Sequence, residues 1–205
     1  MIKAYRKEWK DKKLWVSVVQ LPNFEIDNEP GNKSWYRMRE ALRRCSADLE
    51  YSESVVSFDL GEDNDLHPQN KKELGRRLAL VAAKECLNMD VQALGPVISN
   101  VFVTYENDEC AINLEMDEVG EGLQVLPANG KGEKDGRVLD FIIRDEDAND
   151  YECDVKIFSD KIILRCSGLK RDAAEIRYCY ANTNKGPLVY NSNGLPLSPG
   201  IYTVI

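Results

Sequence analysis

The chain has 205 residues, of which 43% are hydrophobic, enough for a real core in one large or two small domains. Its 27 Lys+Arg stand against 35 Asp+Glu, and the imbalance is uneven: residues 1–92 carry 16 of each, whereas residues 93–205 carry 11 basic and 19 acidic side chains. An acidic second half argues against nucleic acid, whose phosphates need a basic face, and no run nears 18 consecutive apolar residues, so no membrane span is expected.

In chain order, the first ten residues are charged and lack the apolar stretch of a signal peptide. Residues 3–12 read as the tail of a helix, with Lys10, Lys12 and Lys13 at its solvated end. Residues 14–21 form a near-continuous apolar run, the pattern of a buried parallel strand. A loop over 22–31 follows, then a helix over 34–47 with Ser34 as its cap. A second apolar run over 54–60 precedes a helix over 68–87, marked by Leu74, Leu78 and Val81 at helical spacing. Strands alternating with helices imply a parallel sheet with right-handed crossovers. Two strands alone do not make a stable sheet of this kind, so this half expects more strands beside it. Gly75, inside the second helix, reads as a packing position.

The only histidine, His67, stands where the second strand hands over to its helix. In open α/β sheets that carboxyl-end handover is where ligands bind and where an imidazole can be held for chemistry. Asp63 and Asp65 flank it, and a carboxylate or carbonyl on one ring nitrogen fixes the tautomer so that the other serves as base. Asp65 also fits a plainer role as a loop residue favouring the helix dipole. Gln20 and Asn23 emerge on the same face, either lining a substrate cleft or belonging to an ordinary surface loop.

The block Gly61-Glu62-Asp63-Asn64-Asp65-Leu66-His67-Pro68-Gln69-Asn70-Lys71, followed by Gly75-Arg76-Arg77-Leu78-Ala79-Leu80, resembles the histidine block of the sialate O-acetylesterases, a branch of the SGNH (GDSL-like) hydrolases. Further agreement lies in Val19-Gln20-Leu21, the helix from Trp35 to Arg44, Gly95-Pro96, Arg177-Tyr178 and Asn193-Gly194-Leu195-Pro196-Leu197-Ser198-Pro199. The resemblance implies a fold that is α/β plus β: a partial SGNH portion (flavodoxin-like, three-layer) over residues 1–94, then a β-rich, sandwich-like domain over 95–205. It also implies a serine nucleophile in a Gly-Gln-Ser-like block, with glycine and asparagine oxyanion donors, and no such blocks precede Tyr5. The chain therefore resembles the carboxyl-terminal part of an esterase that is inactive without its missing amino-terminal half. Many SGNH enzymes place an aspartate three residues before the histidine, and here that position is Asn64. Asp65, Asp63 or a backbone carbonyl then orients His67.

From Gly95 onward helical periodicity disappears. Short apolar runs at 97–105, 111–116, 138–143, 155–158, 161–166, 175–180 and 201–205 suggest a β-sandwich or sheet domain, with turns at 129–132 and 182–186. The cluster 145–150 begins like a calcium loop but has Asp150 where glycine is needed and Lys156 where glutamate is needed, so a solvated loop is expected. Residues 118–121 are likewise expected to be exposed. Six cysteines show no Cys-x-x-Cys pair, which argues against zinc. Cys86, Cys153, Cys166 and Cys179 fall where free thiols behave as small buried hydrophobes. An oxidising compartment would still allow a bridge among the β-domain cysteines, and spacing does not choose the pair.

The expected function is that of a carbohydrate O-acetylesterase, sialate O-acetylesterase-like, with His67 as base and Asp65 as its first-choice partner, no cofactor and no metal. Expected partners are an O-acetylated sialic acid or related acetylated sugar and the missing half of the hydrolase domain. The resemblance places the parent protein in a secreted, periplasmic or lysosomal setting. The rival is a non-catalytic glycan-binding or structural β module, and a third reading is a calcium-dependent interaction domain. The open edges of two apolar strands further predict a chain that is poorly stable or self-associating by itself.

Overall fold

The computed structural model describes residues 1–25, 34–106, 109–127, 140–169, 172–183 and 186–204. The first part runs α1 (Ile2–Glu8), β1 (Val16–Val19), α2 (Ser34–Ala47), β2 (Ser52–Val55), a 3-10 turn (Phe58–Leu60) and α3 (Lys71–Leu87). Strands β1 and β2 pair in parallel, Val16 opposite Ser52 through Val19 opposite Val55, as alternation with helices implies.

The apolar run over 54–60 is not one strand. The Val56 carbonyl accepts from Arg77, the Ser57 hydroxyl donates to the Gln20 carbonyl, and the Leu60 amide closes a turn on the Ser57 carbonyl. The chain therefore turns after Val55, and the two ends of the run enter different cores. Val55 packs with Val81 and Ala93, flanked by Trp15, Leu74 and Leu78, while Phe58 joins the large core of the second part. The second helix starts at Lys71 instead of Pro68, because the Asn70 side chain accepts the Glu73 amide and caps it there. It ends at Asn88, whose φ of 52° makes the left-handed turn that stops a helix.

Among the described residues the strands of the second part are β3 (Val97–Glu106), β4 (Glu109–Asp117), β5 (Gln124–Pro127), β6 (Phe141–Asp145), β7 (Asp150–Glu152), β8 (Asp154–Ile157), β9 (Lys161–Cys166), β10 (Ala173–Tyr178), β11 (Pro187–Tyr190) and β12 (Gly200–Thr203). They form two four-stranded sheets, ordered β3-β4-β9-β8 and β12-β10-β6-β7, and a ribbon of β11 with β5. Every pairing in this part is antiparallel. Ile112, Leu114, Ile162 and Leu164 from the first sheet share one core with Phe141, Ile143, Ile176 and Tyr178 from the second, the face-to-face packing of a sandwich. Strand β9 matches its predicted bounds. Strands β5, β7 and β11 carry no periodic signal: β5 is exposed at all four residues and β7 has only three. The turn predicted at 129–132 lies outside the described residues, as do the start of the run predicted at 138–143 and two residues of the turn at 182–186.

Three further expectations need correction, the first being that Glu118 and Val119, in the cluster 118–121, are half-buried, with Glu118 paired to Lys84 at 3.1 Å. Asp145 is buried at the turn between β6 and β7, where it accepts bonds from the Asn149 amide and the Tyr151 hydroxyl, although residues 146–150 are exposed. Burial pushes its carboxyl up, but those donors outweigh burial and hold it below the usual carboxylate range. Cys86 is exposed, as is Cys45, because its helix position faces solvent; Cys110, Cys166 and Cys179 are buried, and all six thiols are free. Among the described residues no group of three His, Cys, Asp or Glu side chains is placed to hold a metal ion, and no helix is long and apolar enough to cross a membrane.

Polar contacts tie the two parts together. The Arg39 guanidinium, fully buried, donates to the carbonyls of Pro22, Ala181 and Asn182 and lies 4.2 Å from the centre of the Phe58 ring. Its desolvation lowers the guanidinium to about 10. The Asn191 side chain donates to the Leu94 and Glu118 carbonyls.

Candidate active site

The histidine loop runs from Gly61 to Asn70, and both its ends are fixed by sequence. At its start Gly61 lies so close to the chain leaving β1 that a β-carbon would stand 2.5 Å from both the amide nitrogen and the carbonyl oxygen of Asn23. The Glu25 amide then donates to the Asp63 carbonyl at 2.9 Å. At its end Asn70 caps α3.

Inside the loop Asp65 organises the backbone. Its Oδ1 accepts the His67 amide at 2.8 Å and its Oδ2 accepts the Gln69 side-chain amide at 2.6 Å. The bond to an amide two residues ahead is the turn that aspartate side chains favour. The His67 amide first, then Gln69, hold the Asp65 carboxyl below the usual carboxylate range. The His67 side chain is 82% exposed, with Nδ1 3.9 Å from Asp65 Oδ1. Asp63 contributes a backbone carbonyl, and its side chain and that of Asn64 are exposed.

The structure thus brings His67 and Asp65 together, with Asp65 committed chiefly to the backbone of the loop. Among the described residues no hydroxyl or thiol hydrogen-bonds the imidazole. An exposed imidazole with one nitrogen toward a carboxylate is a base open to a group arriving from outside. Gln20 and Asn23 are both buried. The Gln20 amide donates to the Ser54 and Ser198 hydroxyls at 2.8 Å each and borders a cavity of about 510 Å³ between β2, the end of α2 and residues 94–98, which His67 does not line.

At the start of α3 lies a buried polar network that residue spacing does not single out. Arg77 grips both oxygens of Asp59 at 2.6 Å, with the two side chains 4% and 5% exposed. It also donates to Glu73 at 3.0 Å and to the Val56 carbonyl at 2.9 Å. The Tyr190 hydroxyl, from β11, donates to Asp59 Oδ2 at 3.0 Å. Burial first, then the neighbouring Asp59, push the Tyr190 phenol far up. A signal was present in the sequence: Arg77 falls three residues after Leu74 and four before Val81, on the apolar face of α3, where a cation needs a buried partner.

No protein-family model matches the chain, and no curated protein matches it. Among solved structures it resembles the crystal structure of a carbohydrate acetylesterase from Xanthomonas citri, with 27% sequence identity and a TM-score of 0.81. The match covers 98% of this chain and 44% of the esterase, so the chain spans less than half the length of that neighbour.

Proposed function

We propose that this chain is the base-bearing, carboxyl-terminal part of a carbohydrate O-acetylesterase, with residues 1–94 completing an SGNH-type α/β domain and residues 95–205 forming its β domain. The observation that carries the reading is a solvent-facing imidazole on a fixed strand-to-helix loop, in a chain that superposes along nearly its whole length on part of an acetylesterase. Apolar surface left open on the first part is consistent with a larger domain. No residue of α1 is buried, Trp9 is 71% exposed, and every residue of β1 is only half-buried.

The chemistry is acyl transfer through a serine outside this chain. His67 takes the serine proton as the oxygen attacks the acetyl carbonyl, then gives it to the departing sugar hydroxyl, leaving an acetyl-serine. His67 next takes a proton from water as the water oxygen attacks the acetyl carbonyl, then returns that proton to the serine oxygen as its bond to the acetyl group breaks, which releases acetate and restores the serine. Asp65 sets the loop that presents the ring. The substrate class is an O-acetylated sugar, with O-acetylated sialic acid as the favoured member.

The test is acetate release, followed by proton NMR, from O-acetylated sialic acid and from acetylated xylan, together with fluorophosphonate labelling. The reading expects the parent esterase to release acetate and take the label on a serine, and residues 1–205 alone to do neither. A parent that binds these glycans without releasing acetate or taking the label would overturn it in favour of a glycan-binding module.

A further inference from the structure

We infer that Tyr190, on β11 of the β part, is a positioning residue for His67, acting through Asp59, Arg77 and the first turn of α3. The inference rests on the proposed role of His67 only for its catalytic consequence; the positioning itself is geometric.

The chain of contacts is continuous. The Tyr190 hydroxyl donates to Asp59 Oδ2, which also takes Arg77 Nη2, while Oδ1 takes Arg77 Nη1. Arg77 Nε reaches Glu73, whose backbone amide is capped by the Asn70 side chain, three residues after His67. Arg77 Nη1 also holds the Val56 carbonyl just past the end of β2. One guanidinium therefore fixes the start of α3 against the end of β2, and the loop carrying His67 spans that gap.

Energetics make Tyr190 decisive within this set. A buried carboxylate is costly unless its lone pairs are filled, and a hydrogen bond to a charged group contributes more than a neutral one. Arg77 supplies two of the donors to Asp59, and Tyr190 supplies a third from the opposite side of the seam. Without the phenol, Asp59 has one hydrogen-bond donor fewer at a site it shares with residues that fix the loop. The β part thereby has a role beyond covering the α/β part: it supplies the third donor to the carboxylate that holds Arg77.

Because His67 is the only histidine, its ring Cε1–H gives one unambiguous NMR signal in the 205-residue chain. The comparison is wild type, Tyr190→Phe and Asp59→Asn, followed by the His67 ring ¹H–¹³C peak and by amide hydrogen exchange. Tyr190→Phe should shift or broaden the His67 peak and speed exchange of amides 62–67, 69 and 70 by at least about tenfold, with β4 and β9 amides unchanged. Asp59→Asn, which leaves Arg77 with Glu73 as its remaining carboxylate partner, should do more. An unchanged His67 peak with unchanged loop exchange in Tyr190→Phe would overturn the inference, as would uniform loosening of the whole β part. In the parent esterase Tyr190→Phe should lower kcat with KM unchanged. Failure of the NMR result with His67 still essential removes the positioning role alone; an NMR result as expected with a dispensable His67 removes only the catalytic reading.

Discussion

A β-carbon on Gly95 would stand 2.0 Å from the carbonyl oxygen of Pro196, closer than any real contact allows. The two residues belong to the seam where the α/β part meets the β part, and the neighbouring Ser198 hydroxyl accepts the Gln20 amide from the end of β1. The Pro196 oxygen is backbone, as is the Leu195 carbonyl oxygen at 3.1 Å, so neither can swing aside. Gly95→Ala should cost about 3 kcal/mol or more, read as a fall in the urea midpoint. A midpoint within error of wild type would mean the seam yields.

Asp65 and His67 separate two roles for one carboxylate. Asparagine at position 65 keeps an oxygen for the His67 amide but loses the charge 3.9 Å from Nδ1. In the full-length esterase proposed above, Asp65→Asn should therefore lower kcat/KM less than about tenfold, and Asp65→Ala, which also removes the turn, should lower it further. Equal losses would make the charge the whole contribution.

Glu53 gives a pH dependence of defined sign. Burial pushes its carboxyl above the usual carboxylate range, against a smaller opposing effect of the Ser54 amide. Between the unfolded and folded pKa the folded state holds more protons than the unfolded state, so stability falls as pH rises through that window and stays lower above it. Glu53→Gln should raise Tm at about pH 8 and change it little below about pH 4. The same gain at both pH values would show that ionisation is not the cause.

The thiols should divide by exposure. Cys45 and Cys86 are exposed, whereas Cys110, Cys166 and Cys179 are buried and Cys153, half-buried, is pushed up to about 12 by desolvation. A thiol reagent should label the two exposed cysteines quickly and the other four only after denaturation. Rapid labelling of Cys166 in the native chain would contradict the sandwich core.

What could be read in the sequence follows from how each element is stabilised. The helix Ser34–Ala47 and the strand Lys161–Cys166 declare themselves because their own residues bury on one face. Strand β5 is exposed throughout and exists through pairing with β11, a long-range partner that periodicity does not see. The run over 54–60 looked continuous because both its ends are apolar, yet Val55 and Phe58 serve different cores. In the block around His67 the turn aspartate and the proline are local signals, whereas the Asn70 cap, which starts α3 at Lys71 instead of Pro68, was missed. The Asp59–Arg77–Tyr190 network was not legible, since Tyr190 comes from a strand 131 positions beyond Asp59.

The most direct test of the account is kcat/KM for p-nitrophenyl acetate and O-acetylated sialic acid, measured on residues 1–205 alone, on the parent esterase and on its His67→Ala variant. The account predicts no turnover by the isolated chain, turnover by the parent, and a loss of at least about 10²-fold in His67→Ala with the fold intact by circular dichroism. Appreciable turnover by residues 1–205 alone, or by the His67→Ala parent, would contradict it.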